Sequence, residues 1–140
     1  MTSNEWVFGL DEITSVCDQV NNLLQDNEKV FIVGEMGAGK TTFIKNLVKQ
    51  RGYTADVSSP TYSLVNVYQH PTEPKTIYHI DLYRIKHIEE ALDFGIEEYL
   101  SDDSLCIIEW PEIIEMLSND DTCRLNLSVL EDNRRKLVFL

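Results

Sequence analysis

Positive charge is scarce in this sequence. Its 140 residues carry 12 lysines and arginines against 24 aspartates and glutamates, which gives a formal net charge of −12. Proteins that bind nucleic acid on their own rely largely on lysines and arginines, which displace the counterions of the phosphates. We therefore expect no strong direct binding to nucleic acid, because the average surface would repel that polymer. The only basic triplet, residues 134–136, is predicted to lie in a turn.

Long apolar runs and paired cysteines are also lacking. No stretch approaches the ~20 apolar residues that cross a bilayer, and no basic segment followed by an apolar one opens the sequence, so we expect no membrane association. The 3 cysteines are widely spaced and form no C-x-x-C pair, which argues against a disulfide framework and a zinc site. A cytoplasmic setting is therefore expected. The length predicts a single domain, residues 1–140.

The hydrophobic pattern alternates between strand and helix along the chain. The continuous apolar run 29–33 predicts a strand buried on both faces. Asp11 is predicted to be the N-cap of the helix that precedes this strand. The pattern predicts further strands at 5–10, 63–68, 76–81, 105–108, 124–129 and 137–140, and helical segments at 13–24, 42–50, 88–94, 96–100 and from Pro111. The fold class is therefore α/β, a mixed and mostly parallel sheet with helices on both faces and antiparallel hairpins.

A glycine-rich loop follows the first buried strand. Its sequence, GEMGAGKT at residues 34–41, matches the phosphate-binding (Walker A) pattern G-x-x-x-x-G-K-[ST]. In such P-loops the backbone N–H groups and a helix N-terminus surround the phosphates of a nucleoside triphosphate. The expected N–H donors are Gly37, Gly39, Lys40 and Thr41. The Lys40 ammonium is expected to contact the β- and γ-phosphates, and the Thr41 hydroxyl to bind Mg²⁺.

Two acidic residues, Asp81 and Glu109, close apolar strands. Ligands of open α/β sheets bind beyond the carboxyl ends of parallel strands, so both acids are well placed to hold the metal or to orient a nucleophile. The sequence leaves open which residue has which role. His79, two positions before Asp81, is predicted to be a hydrogen-bonded structural histidine rather than a base.

Four blocks of the sequence together resemble the TsaE family, bacterial P-loop ATPases required for the threonylcarbamoyladenosine modification of tRNA. The blocks are GEMGAGKTTF, SSPTYSLVNVY, YHIDLYR and IIEWPE. The resemblance implies that Thr61 belongs to a switch-like segment that senses the γ-phosphate or the metal. It also implies that Asp81 helps to hold magnesium and that Glu109 acts near the metal or the attacking water, with Trp110 beside it. The ATP site would then comprise Gly34, Met36, Gly37, Ala38, Gly39, Lys40, Thr41, Thr42 and Trp110.

The resemblance further implies a magnesium-dependent ATP hydrolase that is slow alone and stimulated by a partner, the TsaB–TsaD complex. TsaD would transfer the threonylcarbamoyl group to adenosine 37 of tRNA. A small-molecule kinase with a P-loop is the main alternative, but it would need an arginine-bearing lid, and the connector HPTEPK contains no arginine. A GTPase would carry an N-K-x-D block, which this sequence lacks. A nucleotide-binding scaffold without turnover is a further alternative.

Overall fold

Eight strands form one sheet in the computed structural model, which describes residues 4–55 and 64–140. The strands are β1 (Asn4–Phe8), β2 (Lys29–Val33), β3 (Thr54–Ala55), β4 (Val65–Gln69), β5 (Thr76–Asp81), β6 (Leu105–Glu109), β7 (Cys123–Val129) and β8 (Arg135–Phe139). The helices are α1 (Ile13–Leu23), α2 (Lys40–Gln50), α3 (Ile88–Asp93) and α4 (Ile96–Ser101), and 3₁₀ helices span Leu10–Glu12 and Pro111–Leu117.

The strand order across the sheet is β1-β8-β7-β2-β6-β5-β4-β3. The central pairings β7–β2, β2–β6 and β6–β5 are parallel, whereas β1–β8, β8–β7, β5–β4 and β4–β3 are antiparallel. The predicted mixed α/β sheet is confirmed. The expectation of a mostly parallel sheet is corrected, because hairpins flank the parallel centre on both sides. The carboxyl ends of β2, β5 and β6 meet at one edge of this centre.

Alternate residues of the central strands supply two hydrophobic cores. On β2, Val30 and Ile32 pack on the face that α1 and α2 cover, while Phe31 packs on the face that α3, α4 and the 3₁₀ helix Pro111–Leu117 cover. All three side chains are fully buried, and burial of each is worth about 1.5–3 kcal/mol. The predicted helices on both faces are therefore confirmed.

One helix cap and one helix start differ from the prediction. Asp11 does not cap α1 but lies inside the 3₁₀ helix Leu10–Glu12, although α1 begins at Ile13 as predicted. The Gly9 N–H donates a hydrogen bond to Glu12 Oε1, at 3.0 Å. Helix α2 begins earlier than predicted because the left-handed backbone of Gly39 turns the chain directly into it.

The strand ends also differ from the sequence-based expectation. The predicted strand 63–68 corresponds to β4, although residue 63 lies outside the described residues. Strand β8 begins at Arg135, so most of the basic triplet belongs to a strand and not to a turn. Two-residue β3 is too short for a periodic signal. None of the described helices has the length and apolar character needed to cross a bilayer.

Candidate functional site

The glycine-rich loop joins the carboxyl end of β2 to the N-terminus of α2. Two of its glycines have a left-handed backbone, Gly37 with φ of 85° and Gly39 with φ of 93°. The Gly39 carbonyl accepts the first hydrogen bond of α2, from Phe43 N–H at 2.9 Å. The N–H groups before Phe43 have no place in the ladder of an α-helix. Together with the helix dipole, they make this end of α2 suited to an anion.

A cavity of about 300 Å³ lies against the loop and the strand ends. It combines backbone from the loop, one cation, two hydroxyls of the first helical turn, two carboxylates and two aromatic rings. The lining residues are Met36, Gly37, Gly39, Lys40, Thr41, Thr42, Asp81, Tyr83, Glu109 and Trp110. Every predicted site residue within the described ranges is among them except Gly34 and Ala38.

Gly34 and Ala38 support the loop from behind. A Cβ on Gly34 would lie 2.5 Å from the carbonyl oxygen of Leu127, so β7 leaves no room for a side chain there. The Gly34 carbonyl accepts a hydrogen bond from the Lys40 ammonium. Ala38 is buried, with 1% of its surface exposed, and its carbonyl accepts a hydrogen bond from Arg135 Nε at 2.9 Å. Gly34 is therefore required by the approach of β7, a reason unrelated to any ligand.

Lys40 is the first residue of α2 and is only 5% exposed. Its Nζ lies 3.6 Å from the centre of the Trp110 ring, and it donates to the Gly34 carbonyl. Burial lowers the pKa of the ammonium, while the charges of Glu109, Glu112 and Asp81 act in the opposite direction. A cation held against an aromatic face and one carbonyl exchanges these contacts readily for a strongly charged anion.

Asp81 and Glu109 end neighbouring parallel strands and are register partners. Glu109 belongs to β6, a strand buried at all five positions, and is itself only 2% exposed. Both of its oxygens lie 3.3 Å from Thr41 Oγ1. Asp81 Oδ1 accepts the Tyr83 N–H at 3.0 Å, which fixes its carboxylate at the strand end. The two acids and the Thr41 hydroxyl thus converge on the cavity from three different elements.

Trp110 has a left-handed backbone, with φ of 55° and ψ of 54°. This conformation costs a bulky residue about 1–3 kcal/mol, and such strain is concentrated at functional sites. Its ring contacts both the Lys40 ammonium and the ring of Tyr83, whose centre is 5.1 Å away. No sequence pattern selected Tyr83, although it follows Asp81 by two positions in the YHIDLYR block.

Two further residues near the cavity carried no site prediction. His79 Nε2 lies 2.6 Å from Glu109 Oε2, deep in the sheet. The alternation H-x-D, which directs His79 and Asp81 to one face of β5, was the available signal. Arg135 reaches the phosphate loop from β8 through its contact with Ala38. No local pattern could have revealed that contact, because 97 residues separate the two.

The remaining predictions concern Thr61 and the magnesium ion. Thr61 lies outside the described residues. The Thr41 hydroxyl and the carboxylates of Asp81 and Glu109 are hard oxygen donors, the type that Mg²⁺ prefers. Within residues 4–55 and 64–140, no group of three His, Cys, Asp or Glu side chains could hold a metal by itself. The donor set therefore fits a magnesium ion that keeps phosphate and water oxygens among its ligands.

Comparison with known proteins identifies the family. The family model "Threonylcarbamoyl adenosine biosynthesis protein TsaE" matches residues 9–137, nearly the whole chain. This chain belongs to the TsaE family. The match to the family includes the glycine-rich loop, both strand-end acids, Trp110 and Arg135.

Several curated proteins named tRNA threonylcarbamoyladenosine biosynthesis protein TsaE are similar to this chain. The protein from Rickettsia felis is 42% identical over 113 residues, which cover 80% of this chain and 64% of the relative. The protein from Treponema pallidum is 34% identical over 119 residues, which cover 85% of this chain and 86% of the relative. The protein from Bacillus subtilis is 33% identical over 106 residues, 76% of this chain and 65% of the relative.

A solved structure has the same fold. The crystal structure of YdiB from Bacillus subtilis superposes with a TM-score of 0.75 and covers 99% of this chain and 84% of its own. The two sequences are 21% identical in that superposition. The likeness confirms the α/β fold of this TsaE-family chain.

Proposed function

We propose that this chain is a magnesium-dependent ATPase that supports the TsaB–TsaD complex in the threonylcarbamoyl modification of tRNA adenosine 37. The observation that carries the proposal is the convergence of three oxygen ligands at the phosphate loop. Thr41 Oγ1 lies 3.3 Å from both Glu109 oxygens, and Asp81 is the register partner of Glu109. This arrangement supports ATP with magnesium as the ligand, and the tRNA-modification role of the matched family supports a cytoplasmic site of action.

In this proposal, different groups of the chain bind the phosphates, hold the metal and orient the water. The N–H groups of Gly37, Gly39 and the first turn of α2 bind the phosphates, and Lys40 moves from the Trp110 ring onto the β- and γ-phosphate oxygens. Thr41 and one or both acids hold the metal. Magnesium, when bound, offsets the negative charge of the phosphate oxygens. The buried Glu109 carboxylate would orient an attacking water, with Thr61 a further proposed contributor to catalysis.

The distribution of basic residues supports an indirect role on tRNA. Each member of the basic triplet already has a partner within the chain. Arg134 pairs with Asp132 at 2.7 Å, Arg135 donates to the carbonyls of Ala38 and Asn133, and Lys136 lies 3.6 Å from Glu5. With a net charge of −12, tRNA contact would have to come from partner subunits.

One observation favours the alternative of a small-molecule kinase. A second cavity of about 600 Å³ shares Met36 and Trp110 with the phosphate-loop cavity, and it could hold an acceptor. Its described lining contains neither arginine nor lysine, the residues that clamp a transferring phosphoryl group. We therefore prefer hydrolysis to phosphoryl transfer.

The test is to incubate the protein with ATP and Mg²⁺, with and without TsaB–TsaD, and to follow ADP and inorganic phosphate. We expect slow release of equal amounts of ADP and phosphate that increases when the complex is added. ADP without free phosphate would favour the kinase, and preference for GTP over ATP would favour a switch. Binding of ATP without any turnover, even with the complex present, would favour the alternative of a nucleotide-binding scaffold.

A further inference from the structure

His79 contributes a buried side chain to the strand next to Glu109. It lies on β5, which pairs in parallel with β6, and both residues are only 2% exposed. His79 Nε2 lies 2.6 Å from Glu109 Oε2. A carboxylate has no proton to donate, so the imidazole Nε2–H donates in this hydrogen bond.

Among the described residues, this hydrogen bond is the shortest polar contact of the Glu109 side chain. The Thr41 hydroxyl is 3.3 Å away from each oxygen and so does not distinguish between them. The terminal torsion of a glutamate is broad, and the hydroxyl alone would leave the carboxylate free to rotate. Because His79 engages Oε2 at close range, it selects one orientation of the carboxylate, in which both oxygens lie 3.3 Å from Thr41 Oγ1.

The hydrogen bond from the imidazole also offsets part of the cost of burying the Glu109 carboxylate in a strand. Burial of a carboxylate is costly unless hydrogen bonds replace its water. His79 Nδ1 has no hydrogen-bond partner among the residues that the structure describes. Nε2 is thus the only ring nitrogen with a described partner, and that partner is Glu109. A histidine present only to fill the core would be poorly suited to this place, because its ring carries two polar atoms.

We propose that His79 is a positioning residue, whose Nε2–H fixes the Glu109 carboxylate for metal binding and for ATP turnover. The inference rests on the proposed function of the phosphate-loop site. Groups that orient the ligands of a metal typically change metal affinity or activity by about 10–100-fold when they are removed. His79 itself does not contact the metal or the nucleotide in this proposal.

Two variants of similar size separate orientation from packing. In His79→Gln the terminal amide nitrogen reaches the place of Nε2, whereas in His79→Asn it ends near the place of Nδ1 and falls short of Glu109. Both remove the ring, so both lower the melting temperature to a similar extent. The matched control is His70→Asn, because His70 contacts Thr72 and Glu73 in the connector between β4 and β5.

The experiment measures Mn²⁺ affinity, by electron paramagnetic resonance, of the protein bound to a non-hydrolysable ATP analogue, and the kcat of ATP hydrolysis. We expect His79→Asn to weaken Mn²⁺ binding and lower kcat by about tenfold or more each. His79→Gln should recover most of both, and affinity for the analogue without metal should stay within twofold. Equal losses in the two variants, or none in His79→Asn, would overturn the proposal.

A measurement on the wild-type protein does not depend on the variants' folding. Long-range ¹H–¹⁵N NMR of the imidazoles should show a proton on His79 Nε2, and an unprotonated Nε2 would contradict the inference. The outcomes also separate the two proposals. If the wild-type protein never hydrolyses ATP but His79→Asn still weakens Mn²⁺ binding, the ATPase proposal fails and the role of His79 stands. If hydrolysis occurs and His79→Asn behaves like wild type, only the inference fails.

Discussion

The Lys40 ammonium lies 3.6 Å from the centre of the Trp110 ring. The two residues come from different elements, the start of α2 and the residue after β6. The contact couples the state of the phosphate loop to the left-handed backbone of Trp110. Any anion that draws Lys40 away exposes the ring to a new environment.

Trp110 fluorescence is therefore expected to report nucleotide binding. The measurement uses a Trp6→Phe protein, in which Trp110 is the remaining tryptophan. Adding ATP with Mg²⁺ should change the emission in a saturable way, because Lys40 leaves the ring for the phosphates. The reciprocal Trp110→Phe protein retains Trp6, which bonds Gln19 at the sheet edge, and should give no change. Constant Trp110 emission at a nucleotide concentration shown to saturate the site would contradict the coupling.

Lys40→Ala is expected to weaken ATP binding by at least about tenfold, because a hydrogen bond to a charged group contributes about 1.5–3 kcal/mol. Isothermal titration calorimetry with ATP and Mg²⁺ measures the loss. Lys45→Ala is the matched control, since Lys45 is an exposed lysine on the same helix and does not line the cavity. Equal ATP affinities of the Lys40→Ala and wild-type proteins would contradict the assignment of the loop to the ATP site.

The glycines of the loop should separate into two classes. Gly34→Ala places a Cβ 2.5 Å from the Leu127 carbonyl, and overpacking of this kind destabilises by about 1–3 kcal/mol. Gly37→Ala meets no atom within 4 Å and loses only what its φ of 85° costs, about 1–2 kcal/mol. The melting temperature should therefore decrease more in Gly34→Ala. In nucleotide titrations, Gly37→Ala should lose affinity out of proportion to its loss of stability. A smaller decrease in melting temperature for Gly34→Ala than for Gly37→Ala would show that β7 can move to accommodate the added Cβ.

Local pattern was enough to predict much of this fold and site. The apolar runs of β2 and β6 and the alternation in β7 each carry their own signal. The G-x-x-x-x-G-K-T motif fixes Lys40 and Thr41, and the two strand-end acids follow from parallel pairing.

The sequence could not supply what depends on distant contacts. The pairing of β1 with β8 joins the two ends of the chain, so the balance of antiparallel over parallel pairing stayed hidden. The hydrogen bond between His79 and Glu109 depends on the register of β5 against β6. The cap predicted at Asp11 failed because a glycine and a glutamate on either side of it form a 3₁₀ turn instead.

The separate roles of the two acids can be measured with isosteric variants. Glu109→Gln keeps the shape of the side chain but removes its charge, so ATP should still bind while hydrolysis falls by about 100-fold, the size of a general-base contribution. At saturating Mg²⁺ Asp81→Asn should retain most of the kcat, although both variants should raise the Mg²⁺ concentration needed for half-maximal binding. Glu112→Gln, an exposed acid near Lys40, is the control and should change neither quantity. Equal losses of kcat at saturating Mg²⁺ in Glu109→Gln and Asp81→Asn would contradict separate roles for the two acids.

Arg135 is expected to stabilise the phosphate loop from the C-terminal hairpin. Its Nε donates to the Ala38 carbonyl at 2.9 Å and its Nη1 to the Asn133 carbonyl at 2.6 Å, so it links the β7–β8 turn to the backbone just before Gly39. Arg135→Ala removes both hydrogen bonds, each worth about 0.5–1.5 kcal/mol or more because the donor is charged. We expect a lower melting temperature and about three- to tenfold weaker ATP binding.

The neighbouring Arg134→Ala is the matched control for Arg135. Within the part of the chain that the structure describes, the Arg134 side chain pairs only with Asp132 in its own turn, and both side chains are more than half exposed. An exposed ion pair of this kind contributes little to stability, so the melting temperature and the ATP affinity should stay close to those of the wild-type protein. Arg135→Lys retains the charge but cannot reach two carbonyls in the fixed geometry of a guanidinium. If the lysine variant binds ATP as well as wild type, the charge of Arg135 and not its link to the loop supports nucleotide binding.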